Sequence, residues 1–452
     1  MTVRGSRVAE ATEHWMELLR GSFGASTIEA LLAATEEYQL KYAGVPYCTA
    51  LRPLFMEAST RAAAIRAADS VNRAIRIAAD RLLGDESFRR AIGIPVYIDP
   101  LLDIDRDASR SSIMARLDGM FDLEGCIQFI EYNAFPGGLL WAFEANRVLE
   151  RAPIGQECAR RFPFKAADSR DLPVDALIAE TLSRGRRLPA RLAVAVASTA
   201  RNISFDGDLS WIPYAASRGC QVTFVDPAQL EVREDGVFAE GERVDVIDIP
   251  FGALIKPGQL DALKGALRRG LISSMFGVSQ SLLCSSKLTF EALSDPAHAD
   301  MFDHDTQRAL RRHVPWTRRV SERWTVFENQ RVDLLPFLAE HRDRFVLKPA
   351  GSSGGDGVIL GWKCEPGRWD AALKMATKRP HVAQQRVASE EQVFPMLVDG
   401  GMVEEARIHD FNPFIFNGKT ARPEGILVRA SGSIHNVSGG ASTVALFVLQ
   451  DP

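Results

Sequence analysis

Apolar residues recur at three- and four-residue spacing through 28–42 and 58–83, where alanine is also dense, so residues 1–95 are predicted to be helical. The period drops to two at 111–133. Ile113, Ala115 and Leu117 alternate with Met114, Arg116 and Asp118, and Asp122-Leu-Glu-Gly125 supplies a turn into 126–133, the pattern of a β-hairpin. Pro136-Gly-Gly138 ends that strand, and helical spacing resumes over 139–149. A different rhythm begins near 191. Residues 192–197 are a continuous apolar run of strand length, 209–218 reads as a helix stopped by Gly219, and 221–226 and 244–249 read as further strands. Strand–helix–strand order implies a small parallel sheet, and the absence of GxGxxG after its first strand argues against a dinucleotide site there. From 287 onward, strands are expected at 345–348, 358–362, 381–387, 406–411, 426–430 and 445–449, with a helix at 369–377.

With 452 residues, two or three domains are expected. Hydrophobic residues make up 46%, charged residues 25%, aromatic residues 8%, and the net charge is -4. That balance suits a soluble globular protein and does not suggest a nucleic-acid or membrane partner. The arginines between 308 and 331 alternate with Leu310, Val314 and Trp316 and are expected on a solvated helix face. Six cysteines form no CxxC pair, which suggests reduced, buried thiols and a cytoplasmic setting. The N-terminus has no apolar signal core, and no stretch is long enough to span a bilayer. The eight histidines lack metal-ligand spacing, and His409 and His435 read as ordinary strand residues.

The chemistry concentrates in two places. In Phe345-Val-Leu-Lys-Pro-Ala-Gly-Ser-Ser-Gly-Gly-Asp-Gly, Lys348 precedes the glycines, whereas a Walker loop places its lysine after them and opens a helix. Here Gly357 leads into Val-Ile-Leu, so the arrangement is strand, flexible loop, strand. Such a hairpin can fold over a triphosphate and offer backbone N–H groups, with the strand lysine beneath it. The bland alternative is a plain glycine turn. In the 111–133 hairpin, Glu131 and Asn133 share a face about 6.5–7 Å apart, Arg116 and Asp118 share a face of the partner strand, and the short turn brings Asp118 near Glu131. Two carboxylates and an amide oxygen converging in this way call for a cation, and oxygen-only ligands point to Mg²⁺ shared with phosphates. Arg116 is then a candidate for the γ-phosphate or for an ion pair with Asp118 or Glu131.

Together these residues resemble the ATP-grasp superfamily. Lys348-Pro349 with its glycine loop, followed by His381-Val-Ala-Gln-Gln-Arg-Val387, carries the likeness. Because Arg116-x-Asp118 and Glu131-Tyr-Asn133 precede the loop, the order resembles the circularly permuted branch, which includes glutathionylspermidine synthetase and eukaryotic glutathione synthetase. Ser285-Ser-Lys287, Glu424-Gly-Ile-Leu-Val-Arg429 and Asn436-Val-Ser-Gly-Gly440 resemble further motifs of that branch. The resemblance implies an α/β (α+β) ATP-grasp fold with a helical region (1–95), a metal-binding hairpin and helix (96–150), a Rossmann-like substrate domain (151–286) and a nucleotide-binding domain (287–452). It further implies ATP and Mg²⁺ as cofactors. Asp118, Glu131 and Asn133 would hold the metal. Lys287, Lys348, Gly351, Ser352, Ser353, Gly354, Gly355 and Gly357 would surround the phosphates, and the backbone of Ala383, Gln384 and Gln385 would meet adenine. Arg116 and Arg429 would act near the transferred phosphoryl group. Ser352 and Ser353 stand where the glutathione synthetase pattern has an acidic residue, and no amidase domain accompanies the chain, so neither named enzyme's substrates are implied.

The activity so implied is ATP-dependent carboxylate–amine ligation through an acyl phosphate, on small-molecule or peptide carboxylates and amines, with a homodimer as an assembly it allows. This chemistry asks for positioning and charge neutralisation rather than a protein nucleophile, and no Ser-His-Asp or Cys-His constellation is seen. A phosphotransferase on the same fold and a non-catalytic nucleotide-binding protein are the alternatives. Arg52 and Arg407 are open between a substrate carboxylate and a structural ion pair.

Overall fold

The computed structural model describes residues 6–42, 44–102, 104, 112–134, 136–195, 212–225, 229–248, 257–275, 277–352, 354–419, 421–432 and 440–451. Ser353 and the 436–439 part of the Asn436–Gly440 motif fall outside these residues, as do His435, the ends of the predicted strands at 196–197, 226 and 249, and the start of the predicted helix at 209–211.

Four helices dominate the N-terminal region, at Arg7–Arg20, Gly24–Glu37, Ala58–Gly84 and Glu86–Ile92. The longest is rich in alanine, the strongest helix former, and buries Ala64, Ala68, Val71, Ile75, Ala78 and Leu82 on one side. The region is not wholly helical, however. The helix expected to reach 42 stops at Glu37, and Leu54–Glu57 is a strand. That strand pairs in parallel with Leu446–Leu449, which pairs antiparallel with Phe164–Ala166. Three distant segments thus build one small sheet, over which Phe447 stacks on Phe164 at 4.1 Å.

A large antiparallel sheet forms the centre. Its order is Ser442–Val444, Ala421–Ser431, Gly401–Phe416, Met114–Phe121, Ile127–Asn133, with Gln392–Val398 paired to the early part of Gly401–Phe416. The predicted hairpin is therefore joined to strands that follow it by nearly three hundred residues, with Phe411 opposite Gly119 and Phe414 opposite Arg116. Alternation sorts its two faces. Ala115, Leu117, Phe129, Phe411, Val428 and Ala430 pack with the long helix in one core, leaving Arg116, Asp118, Asp410 and Arg429 on the other face.

A second antiparallel sheet runs Thr317–Arg319, His381–Gln385, Phe345–Pro349, Ile359–Leu360. Phe345, Leu347 and Ala383 face a core with Leu334, Leu338, Trp369 and Leu373, so Val346 and Lys348 face the other way, toward the large sheet. The strand expected over 358–362 is only Ile359–Leu360, because the chain turns into a short 3₁₀ turn at Gly361–Lys363, and the 381–387 strand ends at Gln385. Gly361 lies so close to the Arg342 carbonyl that a Cβ would stand 1.8 Å from its oxygen.

The third sheet is parallel, as expected, in the order Ser273–Ser274, Val246–Asp248, Ala190–Ala195, Cys220–Val225. The arginine-rich stretch 308–331 departs from the expected solvated helix. Its helix ends at His313, and Arg318, on the strand Thr317–Arg319, is fully buried, pairs with Asp295 at 3.1 Å and lies over the Trp316 ring. Among the described residues no helix is long and apolar enough to cross a membrane.

Candidate functional site

The inner faces of the two antiparallel sheets enclose a cavity of about 240 Å³. From the hairpin come Arg116, Asp118, Glu131 and Asn133; from the later strands of the large sheet, Asp410 and Arg429; from the second sheet, Lys348, Gln384 and Gln385; and from the glycine loop, Gly354 and Gly355. Apolar walls of Met120, Ile130, Val346, Leu360, Trp362, Val387 and Ile408 complete it.

Register sets the polar end. Asp118 lies opposite Glu131, and Arg116 opposite Asn133, with a bulge after Asp118. Arg116 binds Asp118 in a two-pronged pair, Nε to Oδ1 at 2.6 Å and Nη2 to Oδ2 at 3.0 Å, and donates through Nη1 to the Gly137 carbonyl at 2.7 Å. Arg429 bridges Asp118 Oδ2 at 2.8 Å and Asp410 Oδ2 at 2.8 Å. Burial would raise the Asp118 carboxyl, but the charges of Arg116 and Arg429 outweigh it and hold the group down at about 2. Burial likewise opposes the Arg429 charge, and Asp410 and Asp118 keep it firmly protonated. Asp410 carries no motif signal. In Ala406-Arg-Ile-His-Asp-Phe411 it is one of three polar residues, and nothing in the stretch singles it out.

The lysines stand on the opposite wall. Lys348 Nζ donates to Gln384 Oε1 at 2.7 Å and to the Ile130 carbonyl at 3.4 Å, and Gln384 Nε2 is fixed in turn by Thr317 Oγ1 and the same carbonyl. Burial pulls Lys348 down to about 8, only partly offset by Glu131. Lys287 Nζ pairs with Glu131 at 3.0 Å and donates to the Ser352 carbonyl at 2.5 Å, tying the glycine loop to the hairpin. In that loop Gly354, Gly355 and Gly357 have positive φ, and a Cβ on Gly357 would meet Pro349 at 2.7 Å, so the turn requires glycine. Counted together, Arg116, Arg429, Lys287 and Lys348 face Asp118, Asp410 and Glu131, which leaves one surplus positive charge.

Some residues sit elsewhere than expected. Gly351, Ser352 and Gly357 line a different cleft, of about 900 Å³, on the far side of Glu131 and Asn133, which line both spaces. The Ala383 side chain points into the core behind its sheet, which bears on its side chain and not on the backbone expected to meet adenine, while Gln384, Gln385, Arg386 and Val387 reach the cavity. Arg52 is structural. It donates to the Val393 and Pro53 carbonyls and to Gln392 Oε1, and lies 3.7 Å over the Phe394 ring. Arg407 pairs with Glu405 at 2.7 Å and donates to the Ala430 and Gly440 carbonyls. A further hollow of about 640 Å³ near the hairpin tip contains, of the expected residues, only Gln385.

The donor set admits a hard cation. Asp118 and Glu131 offer carboxylate oxygens, Asn133 an amide oxygen, and Glu131 holds Lys287 through Oε1 while Oε2 accepts from no described residue. Among the described residues no cluster of three or more His, Cys, Asp or Glu side chains forms a self-sufficient metal cage, so water or phosphate oxygens would have to complete the shell.

No protein-family profile and no curated protein matches the sequence. Solved structures do match. A glutathione synthetase-like effector from Globodera pallida, in its apo form, superposes with a TM-score of 0.59 at 11% identity, over 93% of this chain and 96% of that one. A candidate gamma-glutamylcysteine synthetase from Methylobacillus flagellatus aligns over 82% of this chain and 84% of its own at 12% identity, with a TM-score of 0.36. D-alanyl-alanine synthetase A from Vibrio cholerae aligns over 49% and 66% at 13% identity, with a TM-score of 0.22. The last two fit too loosely to bear on the fold. The first shares the α+β fold of this chain over nearly its whole length.

Proposed function

We propose that the chain is an ATP-dependent carboxylate–amine ligase, with ATP-grasp elements in circularly permuted order, that makes an amide bond through an acyl phosphate. The observation that carries this reading is the convergence of Arg116, Arg429 and Lys348 with Asp118 and Glu131 on one cavity beneath the glycine loop, with Lys287 held beside it through its ion pair with Glu131. An apolar slot with a cationic end suits a nucleotide whose base lies by Val346, Leu360 and Gln385 and whose phosphates reach the lysines. On this reading residues 287–452 carry the nucleotide, 96–150 the metal hairpin, and 151–286 help to hold substrate.

Mg²⁺ at Asp118, Glu131 and Asn133 would neutralise phosphate charge. The chain's own residues position and screen. One carboxylate oxygen of the acid bonds to the γ-phosphorus as the bond to the β,γ-bridging oxygen breaks, and ADP leaves with that electron pair. The amine nitrogen then bonds to the acyl carbon, phosphate leaves with the C–O pair, and the nitrogen sheds a proton. Lysines 287 and 348 and the loop N–H groups lie where charge accumulates at the terminal phosphate, and these favour attack there over attack at the α-phosphate.

Product analysis tests this reading. With a competent acid, ADP and phosphate should appear, and hydroxylamine should trap the activated acid as a hydroxamate. AMP and pyrophosphate would refute the mechanism, and a stable phosphorylated product without a trappable acyl group would favour a phosphotransferase.

A pH dependence follows from Lys348. Its folded-state value is depressed to about 8, so the unliganded site loses the ammonium as pH rises through 8, whereas a bound phosphate needs it charged. ATP affinity should therefore fall roughly tenfold between pH 7 and 9. Lys348→Arg, always protonated, should flatten that slope in isothermal titration, and a slope unchanged by the substitution would exclude Lys348 as its source.

A further inference from the structure

The 900 Å³ cleft is lined by the segment Ile94, Pro95, Tyr97 and Ile98, by Met375, Arg379, Pro380 and His381, and by Gly351, Ser352 and Gly357 of the glycine loop. Its inner end is Glu131 and Asn133, the two side chains it shares with the nucleotide cavity. A molecule entering here therefore meets the other cavity at the residues that face its phosphate end. Three features describe what would fit. The walls are largely apolar, with Ile94, Ile98, Leu282, Pro349 and Ala350. Tyr97 is 79% exposed, the most exposed large hydrophobic side chain among the described residues, and Met375, which also lines the cleft, is 39% exposed. Apolar groups left in water around one cleft gain by being covered. Finally, Arg379 is exposed at this rim and makes no side-chain hydrogen bond or ion pair with a described residue. A guanidinium without a carboxylate is a ready partner for an anion.

We propose that this cleft receives the acid to be activated, and that the acid is a dianion with an apolar or aromatic body. One carboxylate is directed to the Glu131–Asn133 partition, the body lies along Ile94, Ile98 and Leu282 under Tyr97, and the second anionic group is held by Arg379. The inference rests on the ligase reading and adds to it the substrate class. In the transfer step the first carboxylate takes the γ-phosphoryl group from ATP and ADP leaves, while the group on Arg379 is unchanged.

The test uses Arg379→Ala and Tyr97→Ser, both exposed positions whose loss leaves the core untouched, with unchanged melting temperature as the control. The binding probe is 8-anilinonaphthalene-1-sulfonate, an aromatic anion, added with saturating Mg²⁺–ADP so that the nucleotide cavity is filled. Each variant should bind it about tenfold more weakly, with ADP affinity unchanged. In parallel, ADP release is followed with hydroxylamine and a panel of acids that pairs aromatic diacids such as phenylsuccinate with small polar acids of equal charge. Preference for the aromatic diacids, lost in Arg379→Ala, supports the proposal. Acid-dependent ADP release that is indifferent to both substitutions, or probe affinity equal to wild type, overturns it while leaving the ligase reading in place. ADP release with no acid at all in the panel would count against both, and the binding arm then shows whether the cleft takes aromatic anions for another purpose or not at all.

Discussion

Glu131→Ala should lose ATP turnover by on the order of 10²–10³-fold while the protein keeps its fold. The side chain is about one-fifth exposed and its one ion pair is with Lys287, which retains the Ser352 carbonyl as a second acceptor, so little stability depends on it. Chemically it is less dispensable. Glu131 stands at the partition between the nucleotide cavity and the larger cleft, and it is the carboxylate with an oxygen left over after its ion pair is made. Glu131→Gln keeps the size and one oxygen donor, so it should lose less activity and recover part of it when Mg²⁺ is raised. Near-normal turnover in Glu131→Ala at ordinary Mg²⁺, with an unchanged melting temperature, would remove Glu131 from the site.

Much of this geometry was legible because it is local. Alternation and a short turn bring Asp118 within one pairing step of Glu131, and the bulge after Asp118 supplies that step, since the register at the turn alone would place Asp118 opposite Ile130. The glycine loop was readable for a similar reason, since its positive φ angles demand glycine wherever it folds. What escaped reading depends on partners far along the chain. Leu54–Glu57 is four residues without alternation, and only its pairing with Leu446–Leu449 makes it a strand. Arg318 looks like its solvated neighbours, yet Asp295 and the Trp316 ring allow it to be buried. Asp410 matters because Arg429 lies opposite it in the sheet, a fact of register in a long strand that begins at Gly401 rather than near 406. The same distinction divides Gly351 and Ser352 from Gly354 and Gly355: adjacent in sequence, they face different spaces.

Asp118→Ala should behave unlike Glu131→Ala and unfold the protein far more readily, by about 3–5 kcal/mol. Asp118 is buried between Arg116 and Arg429, accepting from both, and its removal leaves Arg116 with the Gly137 carbonyl but no carboxylate, while Arg429 retains Asp410. The cost is that of an uncompensated buried guanidinium rather than of a lost attraction. The charge itself can be separated from the shape. Asp118→Asn preserves the volume and one acceptor oxygen, so it should fall between wild type and alanine in urea denaturation. It should also change the acid limb. With the folded carboxyl held at about 2 against an ordinary value of 3.8, Asp118 contributes stability that is fully present above about pH 4 and lost as pH falls toward 2. In Asp118→Asn that part of the decline should vanish, whereas Glu131→Gln should leave it in place. A loss below 1 kcal/mol in Asp118→Ala, with the wild-type acid limb retained, would mean that the two arginines do not depend on this carboxylate, and would return Asp118 to the role of a metal ligand alone.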